Sequence, residues 1–173
     1  MTAFAGSVTK VRRASGAARV VARQLMPRFG HPPVPIRKST AGMPVWPKGI
    51  VGSMAHDARV AVAAMAASQH FLSVGVDVEP AEPIDSDLVT IIATPAERAA
   101  AQADPTRGRL LFSIKEAIYK AVYPLDGQFL DHQDVEVDLS SGTAEVRGGR
   151  QVNFRHCAAT HIVALAFIRF STK

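Results

Sequence analysis

The stretch "FLSVGVDVE", residues 71–79, decides the fold. Val74, Val76 and Val78 alternate with Gly75, Asp77 and Glu79, the period of a β-strand with one apolar face. Asp77 and Glu79 are two residues apart and therefore share the other face. Like charges held that close are costly unless a cation stands between them. Carboxylate oxygens at this spacing suit a hard ion such as Mg²⁺, which keeps waters and takes substrate phosphates as further ligands. The plainer alternative is an exposed strand face at the start of an acidic loop, because "EPAEPIDSD" follows and breaks the strand.

Further along, "FSIKEAIYKAVYP", residues 112–124, predicts an amphipathic helix that ends at Pro124. Ile114, Ile118, Ala121 and Val122 form its apolar side. Glu116 and Lys120 stand one turn apart on the opposite side, with Lys115 beside them. Glu four residues before Lys is also a common surface pair, so this spacing alone fits a solvated face as well as a reactive one. Just upstream, "TPAERAAAQA" opens like a helix, with Thr94 as N-cap, Pro95 at the first position and Glu97 completing a capping box.

On the N-terminal side, residues 11–26 predict a helix with Arg19 and Arg23 one turn apart, ended before Pro27. "GHPPVPIRKSTAGMPVWPKG" is a long irregular loop. "VAVAAMAA" fits either a helix or a buried strand. Beyond Pro124 three strands are expected: "DVEVDL", "GTAEVRG" or its neighbour, and "HIVALAFIRF". "GSMAHDARVAVAAMA" and "HCAATHIVALAFI" each set a His ahead of a Val-Ala-rich segment, a faint echo that two related halves would explain.

The 173 residues, 47% hydrophobic and 20% charged, describe a soluble globular protein of one domain or two small lobes sharing a core. No apolar run is long enough to span a bilayer. The single cysteine, Cys157, excludes a disulfide framework, points to a reducing cytoplasm and is expected to pack. All 15 acidic residues follow His56, while Lys10, Arg12, Arg13, Arg19, Arg23, Arg28, Arg37, Lys38 and Lys48 precede it. Such a block suits a polyanion: nucleic acid, a phosphorylated small molecule or an acidic protein. An organelle transit peptide is also Arg-rich and acid-poor, yet here the block runs on through "GMPVWPKGIVGSMAH", which reads as folded structure. An aromatic fraction of 6% argues against a single-strand nucleic-acid binder.

Four motifs in order resemble those of the Sfp-type 4′-phosphopantetheinyl transferases. "GVDVE" at 75–79 and "FSIKEAIYK" at 112–120 match that family's G-x-D-x-E strand and K-E-x-x-x-K helix. "GMPVWPKGIVGSMAH" is similar to its W-P-x-G-x-x-G-S-x-S-H segment, and "ARVVAR" to its G-R-x-x-A-R helix. "KAVYPLDGQFLDHQDVEV" resembles the family's continuation, so the likeness runs from about Arg12 to the C-terminus.

The resemblance implies an α/β (α+β) fold of two similar lobes, each a small antiparallel sheet with a long helix, in a single domain 1–173 with approximate lobes 1–73 and 74–173. It implies Mg²⁺-dependent transfer of 4′-phosphopantetheine from coenzyme A to a serine of an acyl or peptidyl carrier protein, a holo-[acyl-carrier-protein] synthase activity serving secondary metabolism. Asp77, Glu79 and Glu116 would be the metal ligands, with Glu116, Lys120 and Lys115 catalytic. Arg19, Arg37, Lys38, His56, Lys115 and Lys120 would hold the phosphates of coenzyme A, with Arg12 or Arg13 as lesser candidates. Trp46 would pack the loop beneath the cofactor, and His31, His70, His132, His156 and His161 are assigned no role. A cytoplasmic monomer without nucleic-acid or membrane partners is expected.

Departures from the pattern point to a second reading, a relative that binds coenzyme A or a carrier protein without efficient transfer. Ala55 replaces a serine expected near the 3′-phosphate, and Ala18 replaces the glycine before Arg19. Ala14 and Ser15 stand where a Glu-Phe pair is common, and few residues precede Arg12, so an abridged first lobe is expected.

Overall fold

The structure, a computed structural model, describes residues 15–170. Residues 15–25 form helix α1, which continues into a 3₁₀ turn, Met26–Phe29. Strands β1 (Arg37–Lys38) and β2 (Pro44–Val45) pair briefly inside the Pro/Gly loop, and β3 (Ile50–His56) and β4 (Ala61–Ala67) make an antiparallel hairpin. After β5 (Phe71–Pro80) come α2 (Ser86–Ile92), α3 (Pro95–Ala103) and α4 (Pro105–Asp126). The chain then forms β6 (Val135–Asp138), β7 (Thr143–Val146), β8 (Arg150–Ala158) and β9 (His161–Arg169). The β5 strand joins these four in one antiparallel sheet of order β5-β9-β8-β7-β6, giving the expected mixture of helices and small antiparallel sheets.

The alternation read from β5 divides the molecule. Val76 and Val78 turn to one side and pack with Ala55 of β3 and Val60, Val62 and Ala64 beside or on β4. Gly75 and Asp77 turn to the other side, under α4. There Leu111, Ile114, Ala117, Ile118, Ala121 and Val122 of α4 are buried against the sheet, at the spacing of one helical face. Gly75 sets the approach: a Cβ at that position would collide with the Ala117 carbonyl oxygen and come within 2.7 Å of the Ala121 nitrogen. The glycine therefore lets α4 lie directly on the strand that carries Asp77.

Helix α3 keeps the Glu97 half of its expected capping box, Thr94 N donating to Glu97 Oε2 at 2.8 Å, while Thr94 Oγ1 is left without a partner among the described residues. Several expectations need correction. Helix α4 does not stop at Pro124 but reaches Asp126, because one missing N–H in the last turn is tolerated until Gly127, at φ 68°, caps the helix through Tyr123 O. The ambiguous "VAVAAMAA" is strand, and "GTAEVRG" and its neighbour are both strands, so four rather than three follow α4. Helix α2 was not foreseen after the acidic break. Cys157 is exposed rather than packed, since β8 outruns its partner β7 and its last residues lie uncovered. The echoed segments fall on the β3–β4 and β8–β9 hairpins, whose turn regions meet where His161 Nε2 lies 2.9 Å from Asp57 Oδ2. No helix among the described residues is long and apolar enough to cross a membrane.

Candidate active site

Helix α1, the β1–β2 loop, β3 and the C-terminal half of α4 enclose a cavity of about 600 Å³. Arg19, Lys38, His56 and Lys120 all line it, so four cations expected to hold phosphates converge although they are up to a hundred residues apart. Arg19 is braced by its own helix, donating from Nη1 to Ser15 O at 3.0 Å and Ser15 Oγ at 2.6 Å. Trp46 also lines the cavity and lies flat against β3, where a Cβ on Gly52 would stand 2.7 Å from its ring. It packs with Ala22, Met26 and Ile36, which supports the loop as expected. Arg37 is the exception: it is exposed and outside the lining, because adjacent strand residues point to opposite sides and Lys38 takes the inward one. Arg12 and Arg13 lie outside the described residues.

Lys120 connects this cavity to the carboxylates. Its Nζ donates to Asp77 Oδ1 at 2.6 Å, while Asp77 Oδ2 is buried with no hydrogen-bond partner. Glu79 is bridged instead by Arg109, Nη1 to Oε2 at 3.0 Å. Burial first, then the negative charge of Asp77, pushes the Glu79 carboxyl above the usual range, and Arg109 pulls it partly back. Glu116, one turn before Lys120, has its Oε1 3.3 Å from His132 Nε2. That contact holds the Glu116 carboxyl below the usual range, against burial and with help from the Lys120 charge.

Lys115 does not join them. It is 1% exposed, and its ammonium donates to Ile92 O at 2.9 Å, Glu97 Oε2 at 2.7 Å and His132 O at 2.9 Å. With all three protons used inside the protein, it has none to offer a phosphate. Burial pulls its pKa down, and the Glu97 contact works against that. The expectation that Lys115 is catalytic and cofactor-binding is corrected here: one helical step beyond Glu116's direction, the side chain turns under α3 rather than toward the cavity. Ala55 is likewise off the site, buried with Val76 and Val78 on the β3 face opposite His56.

Two site residues had not been assigned a role. Arg109 lies seven residues before Glu116, on the same stripe of α4, so helical spacing alone would have found it. His132 comes from the short 3₁₀ turn after α4 and carried no comparable sequence signal.

Among the described residues no three His, Cys, Asp or Glu side chains already converge as a metal cage. The expected trio is paired separately, Asp77 with Lys120, Glu79 with Arg109 and Glu116 with the His132 ring. The donor chemistry still suits a hard divalent ion. Asp77 Oδ2 is an unpaired buried oxygen, and Glu79 is destabilised as an anion by its neighbour.

Comparison with known proteins identifies the family. Residues 1–66 match the 4′-phosphopantetheinyl transferase N-terminal domain and residues 73–166 the 4′-phosphopantetheinyl transferase superfamily. The chain is 38% identical to 4′-phosphopantetheinyl transferase Svp of Streptomyces mobaraensis, over 78% of this chain and 61% of that protein. It is 35% identical to Npt of Nocardia iowensis, over 84% and 68%, and 37% identical to PptT of Mycobacterium tuberculosis, over 80% and 63%. The match thus spans less than two thirds of the length of Svp and of PptT, and 68% of Npt. A weaker structural likeness, with TM-score 0.45 and 20% identity over 57% of this chain and 64% of the other, is to Thermotoga maritima holo-[acyl-carrier-protein] synthase (AcpS). The two family matches fall on either side of the β4–β5 turn and take in both the cationic cavity wall and the carboxylate strand, and the chain belongs to the 4′-phosphopantetheinyl transferase superfamily.

Proposed function

We propose that this chain transfers 4′-phosphopantetheine from coenzyme A to a serine hydroxyl of an acyl or peptidyl carrier protein. The observation that carries the reading is the junction at Lys120, which lines the cationic cavity and also grips Asp77. Arg19, Lys38 and His56 would hold the nucleotide phosphates, and Lys120 the pyrophosphate, whose charge grows on the leaving side. Asp77, Glu79 and Glu116 would hold Mg²⁺, whose chemistry here is to neutralise the pyrophosphate and polarise the phosphorus under attack.

Glu116 is kept ionised, the form needed to accept the serine proton directly or through a water, although a lowered carboxyl is a weaker base. The serine oxygen forms a bond to the β-phosphorus as the bond to the adenylate phosphate breaks, and adenosine 3′,5′-bisphosphate leaves. The lobes are proposed to divide near residue 73, so that the first supplies Arg19, Lys38 and His56 and the second the carboxylates and Lys120. A second reading, binding of coenzyme A without transfer, draws support from the separate pairing of the three carboxylates. Mass spectrometry of an apo carrier protein incubated with coenzyme A and Mg²⁺ separates the two. A serine adduct of the phosphopantetheine mass supports transfer. Retention of coenzyme A with no adduct on any carrier tried supports the second reading.

A further inference from the structure

His132 meets Glu116 through a nitrogen that has no other use. Its Nε2 is buried and makes no hydrogen bond among the described residues, yet it stands 3.3 Å from Glu116 Oε1, so that a small turn of either side chain would form one. The ring is held from the side by Phe112, one turn before Glu116, with centroids 5.4 Å apart and planes at 28°. Its backbone is held as firmly. The His132 carbonyl accepts from the buried Lys115 ammonium, and its turn is closed by Asp131 and Asp134. The next residue, Gln133, donates to Ile91 O and Ala93 O. A ring fixed at both backbone and face, with Nε2 against a carboxylate, restricts that carboxylate's rotamer.

We propose that His132 is a positioning residue: it holds Oε1 of Glu116 and so presents the other carboxylate oxygen toward Asp77 for the cation and the serine proton. This rests on the reading of Glu116 given above. It also gives Lys115 and Glu97 a role in the site at one remove, since their buried ion pair fixes the His132 carbonyl.

The test compares three replacements at one fixed pH. His132→Phe keeps the ring on Phe112 and the carbonyl used by Lys115 but removes the nitrogen. His132→Gln places an amide nitrogen near the position of Nε2, and His132→Asn is polar but too short to reach. Mn²⁺ binding without carrier protein, followed by electron paramagnetic resonance of the free ion, is read beside kcat and the KM for coenzyme A. The Phe and Asn variants should bind Mn²⁺ about tenfold more weakly and lose a similar factor in kcat. KM should stay within about twofold of wild type, and Gln should recover most of both losses. A Phe variant with wild-type Mn²⁺ affinity and kcat overturns the proposal, as does a Gln variant no better than Asn, which decides the matter if Phe does not fold. A wild-type protein that neither binds Mn²⁺ nor transfers phosphopantetheine removes the underlying reading of the site, and this proposal with it. Intact wild-type function beside an unimpaired Phe variant removes only the role of His132.

Discussion

The two sides of the site are built differently. The carboxylate side rests on β5 and α4, inside a core that runs from Ile84 to Ile168 and includes Phe154, Ile114 and Ile118 at 1% exposure or less. The cationic side rests on α1, an irregular loop and a two-stranded hairpin, where among the described residues one small cluster joins Ala22, Met26 and Ile36. Every residue of β4 is only partly buried. The difference teaches where precision is placed: the groups that would meet the reacting phosphorus are set by close packing, and those that would grip the nucleotide sit on adaptable structure. Substitutions of packed residues on the first side should therefore fail through the fold, and of cavity-facing residues on the second through affinity.

The largest effect should come from Gly75→Ala. The added methyl meets helix backbone at Ala117 and Ala121 rather than a flexible side chain, so α4 must lift from the strand. Loss of cooperative thermal unfolding, or failure to obtain soluble protein, is expected. A Gly75→Ala protein with unchanged melting temperature would break the contrast between the two sides.

Next is Lys115→Met, which leaves Glu97 buried without its cation. Breaking one partner of a buried pair costs about 3–5 kcal/mol, somewhat offset here because Glu97 also accepts from the backbone of Thr94 and Val137. Urea denaturation should show the loss. Lys120→Ala, by contrast, should impair turnover and cost less stability, its ammonium being partly exposed although Asp77 loses its one partner among the described residues. If Lys115→Met keeps its stability but loses coenzyme A binding, the side chain belongs in the cavity after all.

Much of this was legible beforehand. The alternation in 71–79 gave the strand, and the spacing in 112–124 gave both the buried face of α4 and the Glu116–Lys120 pair, because each periodicity is local. The direction of Lys115 was not legible. A helix tells which residues share a face, but not that α3 and the turn at His132 cover the flank beside Glu116. Arg109 and Arg37 were decidable by the same counting, the first seven residues before Glu116 and the second adjacent to Lys38 on a strand.

Glu116→Gln tests chemistry rather than packing. It keeps size and hydrogen bonding but removes the base and one charged ligand. The expected loss in kcat is about 10²-fold or more, larger than any change in coenzyme A affinity. In the wild type, activity lost to Glu116 protonation should appear only as pH falls below the ordinary glutamate range, because the folded carboxyl is held low. A Glu116→Gln enzyme with wild-type kcat would return this face of α4 to an ordinary solvated one.

The smallest effect sharpens the comparison within a single strand. Ala55 and His56 are neighbours on β3 and point to opposite faces, Ala55 into the cluster with Val76 and Val78, His56 into the cavity. A serine at 55 would place its hydroxyl among valines, far from any phosphate held by His56. Ala55→Ser should therefore cost stability, about 1–3 kcal/mol for a buried hydroxyl without a partner. It should leave the preference for coenzyme A over 3′-dephospho-coenzyme A unchanged. His56→Ala should do the reverse, with stability kept and the preference reduced, on the order of ten- to a hundredfold for a hydrogen bond to a charged group. Competition between the two nucleotides, measured beside melting temperatures, reads both variants at once. If Ala55→Ser widens the preference instead, the strand faces are exchanged from the arrangement described, and the cavity wall on β3 has been assigned to the wrong side.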